Sequence, residues 1–236
     1  MRKWLRPAVG VLGFAMLALG AWFGLVKAPP DREMGDVYRI IYVHVPCFWM
    51  AFLAVTLNFA CSVLYLIKGS WKLDALAESS AEVGVLFGAT GLTLGSIWAR
   101  PTWGVWWTWD PRLTTAAIML VSYAGYLALR RFVEDPERRA VWSAVVAIIA
   151  FADVPIIWYS VQWWKSQHQI QSSPKTVDPQ MVFALRWNAF AMLALLIYFI
   201  WSRYRIALRD RQQEVALPDA LPPGRTTPVQ ASGALK

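Results

Sequence analysis

Uncharged stretches divide this chain at nearly regular intervals. Pro7 to Val26, Ile40 to Ile67, Val83 to Ala99 and Leu113 to Leu129 hold no Asp, Glu, Lys or Arg. Ala140 to Trp164 is interrupted only by Asp153, near Pro155, and Met181 to Ser202 only by Arg186. A helix of roughly 20 apolar residues crosses about 30 Å of hydrocarbon. The pattern therefore predicts an all-α integral membrane protein with six transmembrane helices, occupying residues 1–207. The run Ile40 to Ile67 is too long for one straight span. Because proline suits the first helical turn, Pro46 is expected to open the helix, with Tyr38 to Val45 an extended or interfacial approach carrying His44 on the membrane rim. Residues 27–39, 68–82, 130–139 and 165–180 read as polar links. From Leu208 to Lys236 the composition turns to Pro, Gln, Asp and Thr and predicts a disordered cytoplasmic tail.

Composition agrees with this pattern and excludes a soluble domain, since 57% of residues are hydrophobic and 16% charged. Arg2, Lys3 and Arg6 before the first run suggest a signal peptide, but the apolar run continues through Trp22 and Phe23 and is read as a retained span. A net charge of +8 could point to nucleic acid. Its placement gives a different explanation. Arg2, Lys3, Arg6, Lys68, Lys72, Arg130, Arg131, Arg138, Arg139, Arg203, Arg205, Arg209 and Arg211 flank the spans on one side, against Lys27, Arg32, Arg39, Arg100, Arg112, Lys165 and Lys175 on the other, thirteen to seven. Basic loops stay in the cytoplasm. Both termini are thus expected there, with three loops facing the periplasm or an equivalent outer compartment and no nucleic-acid partner implied. Cys47 and Cys61 lie too far apart on one helix to pair, and no C-x-x-C is present.

The three outer loops hold the candidate chemistry. Residues Arg100 to Arg112 read R-P-T-W-G-V-W-W-T-W-D-P-R, placing Trp103, Trp106, Trp107 and Trp109 within seven positions and ending on Asp110. The other two loops contain His44 and His168, the only histidines of the chain. A pair of neutral imidazoles ligates haem iron axially, and indoles offer a dry wall to a porphyrin. If the segment from Trp103 is helical, Trp103, Trp106, Trp107 and Asp110 share one face. Arg100, Arg112 and Arg39 are near enough in sequence to fork onto propionates. Each feature has a plainer alternative: an interfacial aromatic belt, a rim histidine, an aspartate capping the turn before Pro111, arginines on head groups. Asp153 and Arg186 are costly within a membrane and are either functional or paired, and Glu82 lies near the cytoplasmic end of its span.

The run from Trp103 to Thr114 resembles the WGxWWxWDxRLT signature of the haem-handling membrane proteins of cytochrome c maturation. His44-Val45-Pro46 followed by Trp49-Met50, and Ser160 to Trp164 leading to His168-Gln169, resemble the two histidine motifs of one branch, the CcmC family or haem exporter protein C. The resemblance covers about residues 36–203. It implies that His44 and His168 are axial ligands of a periplasmic haem b at the bacterial inner membrane. The segment Trp103 to Asp110 would hold the porphyrin and present it to the haem chaperone CcmE, and an ABC transporter of CcmA and CcmB with the small protein CcmD would release the loaded chaperone. Gln167 departs from the leucine usual before the second histidine. Larger relatives with the same tryptophan signature attach haem to apocytochrome c, but they carry more spans and further histidines. A cytochrome b subunit would place its ligands inside spans, where this chain has no histidine.

Overall fold

The computed structural model describes residues 4–168 and 178–220. Helix α1 (Leu5–Trp22) ends in a wider turn over Phe23–Lys27, and a 3-10 turn (Asp36–Ile40) leads into α2 (Ile41–Lys68). There follow α3 (Trp71–Trp103), α4 (Pro111–Phe132), α5 (Pro136–Phe151), α6 (Asp153–Trp163) and α7 (Pro179–Ala220). Six helical stretches are long and apolar enough to cross a membrane, α5 and α6 together forming one of them. The spans are built as expected from the uncharged runs. Their ends differ, because charged residues are taken into the helices where another helix pairs them.

The antiparallel pair α2 and α3 forms the centre of the bundle, with α7, α4 and α5 packed around it and α1 lying along α7. Gly84, Gly88, Gly91 and Gly95 recur on one face of α3 and meet the α2 face formed by Val55, Ala51, Phe48 and His44, in that order. Where a side chain would intrude, only glycine fits: a Cβ at Gly91 would stand 2.9 Å from Phe48 Cδ2. In a bilayer, where hydrophobic attraction between helices is weak, such small-residue stripes permit the close packing that holds helices together. α1 uses the same device against α7 through Gly10, Gly13 and Gly20, which abut Tyr198, Leu195 and Asn188. Trp187 Nε1 and Asn188 Nδ2 fix its register by donating to the carbonyls of Met16 (2.8 Å) and Gly20 (3.1 Å).

Several expectations about helix ends are corrected, and the link expected over residues 130–139 shortens to 133–135 because α4 and α5 take in its two ends. Pro46 lies inside α2 and does not open it; the helix begins at Ile41, so His44 stands in its first turn and not on an extended approach. The proline removes the N–H that would have bonded the Tyr42 carbonyl, a cost of one helical hydrogen bond near the start of α2. The stretch Lys68 to Glu82 is not a polar link. Only Gly69 and Ser70 separate α2 from α3, Gly69 taking the left-handed conformation (φ 61°) that ends α2. Asp74, Glu78 and Glu82 then lie four residues apart on one helical face. Asp74 and Glu78 receive Arg130 of α4, and Glu82 receives Arg203 of α7.

The expectation of a disordered tail from Leu208 is corrected as far as Ala220, because α7 continues as helix to that residue. Arg139 of α5 donates to both carboxylate oxygens of Glu214 (2.9 and 2.8 Å), and the guanidinium of Arg211 lies 3.6 Å from the centroid of the Trp71 ring. These contacts dock the extension on the ends of α3 and α5. Residues 221–236 of the expected tail lie outside the described residues. The span made by α5 and α6 breaks at Ala152, just before Asp153, where the sequence places Pro155. Asp153 Oδ2 is buried without a hydrogen-bond partner. Among the described residues neither Asp153 nor Arg186 forms an ion pair, so they are not each other's partner.

Candidate functional site

At the end of the bundle opposite the acidic ladder, His44 is wedged between α2 and α3. Its Nδ1 lies 2.9 Å from the carbonyl oxygen of Gly91. A carbonyl only accepts, so Nδ1 carries the proton and Nε2 keeps its lone pair. Metal-bound imidazoles are normally oriented by such a second hydrogen bond. Phe48 and Trp98 pack edge-on against the ring, with centroids 5.3 and 5.7 Å away. Gly95 supplies the remaining wall: a Cβ there would stand 2.8 Å from His44 Cε1. Replacing Gly95 with Ala is therefore expected to displace the imidazole and to cost about 1–3 kcal/mol of packing strain. The same change at exposed Gly125, where nothing lies near the added Cβ, serves as the control in a thermal unfolding measurement.

The tryptophan segment is not helical, so the single face of Trp103, Trp106, Trp107 and Asp110 does not form. Trp103 is the last residue of α3, and Gly104 terminates the helix in the left-handed region (φ 79°). Arg100 turns back to donate to the Gly104 carbonyl and secures this turn. From there the chain crosses irregularly to Asp110, which caps α4 by accepting from the Arg112 N–H (2.9 Å), with Pro111 as the first helical residue. An Asp-Pro pair opens α5 in the same way at Asp135 and Pro136. The indoles are thereby distributed. Trp103 meets His168 edge-on at 5.3 Å, Trp107 meets Trp109 at 6.0 Å, and Trp106 and Trp109 are 58% and 82% exposed. Trp103 thus faces an inward contact and Trp107 is half-buried, while Trp106 and Trp109 remain open to a ligand, lipid or partner.

His168 reaches the site through Asp110. The Gln167 N–H donates to Asp110 Oδ2 (2.7 Å), the Ser166 hydroxyl donates to Oδ1 (3.1 Å), and the His168 N–H donates to Ser166 Oγ (3.1 Å). His168 Nδ1 comes within 3.4 Å of Asp110 Oδ1, a near approach without the alignment of a hydrogen bond. Burial raises the Asp110 pKa, but the Gln167, Ser166 and Arg112 donors and the nearby His168 outweigh it and hold the carboxyl below its ordinary value. Burial also strips the His168 imidazolium of hydration. Asp110 pulls the other way, but Arg112 and His44 add to the burial, and the pKa is pushed down to about 4. The ring is neutral at physiological pH, the form that binds metals. Gln167 contributes its backbone while its side chain is exposed, so a leucine at this position is not needed to form the loop.

Trp103, Asp110 and His168 are in contact, and His44 lies near enough to act electrostatically on His168, with Trp98, Ser166 and the glycines of α3 as members that sequence motifs did not single out. The spacing of Gly84, Gly88, Gly91 and Gly95 was the available signal for the α3 wall. Arg39 is committed elsewhere, donating to the carbonyls of Gly24 and Ala28 and to Asp36. Among the described residues, Trp98 Nε1, Thr108 Oγ1 and Thr114 Oγ1 are buried without hydrogen-bond partners. Unpaired buried donors and acceptors of this kind fit a ligand that brings its own polar edge, and the Trp98 indole that carries one of them packs against His44. Among the described residues no group of three or more His, Cys, Asp or Glu side chains assembles as a metal site.

Fold and site together define a six-span membrane protein with two neutral imidazoles and an indole-rich connection at one end of the bundle. Comparison with known proteins specifies the kind. The family model described as heme exporter protein C matches residues 1–217, and the chain belongs to that family, CcmC. It is 33% identical over 205 residues to heme exporter protein C of Escherichia coli strain K12, covering 86% of this chain and 83% of that one. The corresponding protein of Haemophilus influenzae is 34% identical over 210 residues, covering 86% and 85%. A putative cytochrome c biosynthesis ccmC-like mitochondrial protein of Marchantia polymorpha is 34% identical over 169 residues, covering 71% and 72%.

Proposed function

We propose that this protein handles haem for cytochrome c maturation, holding haem b between His44 and His168 and delivering it to the chaperone CcmE. The observation that carries the reading is the state of the two imidazoles. His44 is protonated at Nδ1 by its bond to Gly91, and His168 is neutral beside Asp110, so each offers a nitrogen lone pair at the same end of the bundle. Names of the relatives, heme exporter protein C and a cytochrome c biosynthesis protein, support the same chemistry. Haem supplies iron with two open axial positions and an anionic edge. The chain's residues retain it by ligation, cover it with Trp103 and Trp107, and meet its propionates with Arg112, whose side chain is in no ion pair among the described residues. Trp106 and Trp109, being exposed, are left to contact the chaperone. Arg100 steadies the turn at Gly104. The basic residues beside the spans support an orientation with the termini in the cytoplasm and this site at the periplasmic face of the inner membrane. CcmA, CcmB and CcmD complete the assembly in this reading.

The test is an absorbance spectrum of the purified protein, followed by transfer of its haem to the purified chaperone. A six-coordinate low-spin spectrum and covalent loading of the chaperone are expected; a colourless protein that still supports loading sinks the proposal. The pH dependence provides a second check. Protons compete with iron for an imidazole only near its pKa in the folded protein. Retention is therefore expected to stay flat from pH 8 to about 5 and to fall as pH approaches 4. A decline centred near 6.5, the ordinary histidine value, would show His168 to be solvated.

A further inference from the structure

Asp110 has no counter-ion bonded to it among the described residues, yet it is 6% exposed and surrounded by donors. Oδ1 accepts from the Arg112 N–H and the Ser166 hydroxyl, and Oδ2 accepts from the Gln167 N–H. The first of these bonds belongs to the start of α4. The other two reach 56 and 57 residues along the chain to the loop that ends in His168. Both oxygens are thus occupied from within the protein, which leaves little capacity for a ligand. A second carboxylate, such as a propionate, would also be repelled there. The remaining neighbour among the described residues is His168 Nδ1 at 3.4 Å, a buried ring nitrogen with no hydrogen-bond partner among them. Two lone pairs facing each other would repel, so the carboxylate favours the tautomer with the proton on Nδ1. The nitrogen on the opposite edge of the ring, Nε2, then keeps its lone pair.

We infer that Asp110, the last residue of the tryptophan signature, is a positioning residue for the second axial ligand and not a haem-edge or chaperone contact. It clamps the 166–168 loop to the N-terminus of α4 and sets the tautomer and direction of the His168 ring. The inference rests on the reading of His168 as an iron ligand. It makes the arrangement asymmetric. His44 is oriented within the rigid α2–α3 pair by a backbone carbonyl, whereas His168 is oriented across the fold by one side chain. It also sets asparagine apart from the carboxylate: asparagine has one acceptor oxygen where Asp110 uses two, and its amide group would face donors.

The experiment uses the full-length protein with Asp110→Asn, Asp110→Ala, His44→Ala and His168→Ala, each purified without haem and then titrated with haem. Hydrogen exchange of the haem-free protein reads the clamp directly. The Gln167 amide is expected to exchange at least about tenfold faster in both Asp110 variants, as follows from losing a charge-assisted bond, while the amides of α2 and α3 are unchanged. With haem, both Asp110 variants are expected to show the high-spin spectrum of His168→Ala, with low-spin haem restored by added imidazole, and Asp110→Asn to show a raised midpoint potential. If His168→Ala alters the haem spectrum while Asp110→Asn leaves both exchange and spectrum as in the unaltered protein, the positioning role is refuted and the haem reading stands. Faster exchange with an unchanged spectrum refutes it too, because the clamp would then not reach the ring. If neither histidine variant alters bound haem, the haem reading itself falls and takes this inference with it. Asp110→Asn, which keeps size and shape, remains informative should Asp110→Ala fail to fold.

Discussion

Replacing His44 with Ala is expected to convert bound haem from six-coordinate low-spin to five-coordinate high-spin and to weaken its retention by at least tenfold, equivalent to about 1.4 kcal/mol or more. The expectation follows from how the ring is held. Its Nδ1 is bound to Gly91, Phe48 and Trp98 pack edge-on against it, and Gly95 leaves room for nothing larger. Iron binding at Nε2 therefore costs little reorganisation, and no other histidine stands on α2 or α3 to substitute. The protein itself is expected to fold. A neutral hydrogen bond contributes about 1 kcal/mol net, and the Gly91 carbonyl stays within the α3 ladder. The truncation leaves a slot shaped for an imidazole, so imidazole added in solution is expected to restore the low-spin spectrum in His44→Ala. A visible spectrum with and without imidazole decides the matter: unchanged low-spin haem in the variant removes His44 from the iron.

Substitution of Arg130 by Met is expected to give the largest loss of stability. Arg130 is buried, its side chain 4% exposed, and it forks onto Asp74 at 2.7 and 3.0 Å while sharing one nitrogen with Glu78 at 3.0 Å. Tyr126 lies beneath the guanidinium at 5.8 Å. Removing one partner of a buried ion pair leaves an uncompensated charge and costs about 3–5 kcal/mol. Lysine does not replace the fork, since an ammonium cannot meet both carboxylates in one plane. Neutralising the acids as well, in a triple variant with Asp74→Asn and Glu78→Gln, is expected to recover most of the loss. Cys47 and Cys61 are both free and buried, so a thiol-reactive dye reports unfolding in detergent without an added probe. An unchanged midpoint in Arg130→Met would show that water reaches the cluster and already screens it.

The spans and their number were legible because each depends on contiguous residues. Uncharged runs of membrane length specify helices whatever surrounds them, since backbone groups in lipid must pair within their own segment. The Asp-Pro pair at Asp110 and Pro111 likewise announces a helix start locally. The tryptophan segment was legible as a concentration of indoles but not as a shape, because Gly104 ends α3 just where a helical reading would have carried it on.

What the bundle alone decided is which side chains meet across it. Asp74, Glu78 and Glu82 look like a solvated link until Arg130 and Arg203, more than fifty residues away, are brought against them. Asp110 looks like a cap until the loop before His168 settles on its carboxylate. The four-glycine stripe of α3 is visible in the chain, but only its register against α2 puts the last glycine opposite His44. Helix formation follows local hydropathy and hydrogen bonding, whereas the partner of a buried charge or imidazole depends on how whole helices slide and rotate against one another. A stretch of sequence contains the first kind of information, and the second exists only once the helices have packed.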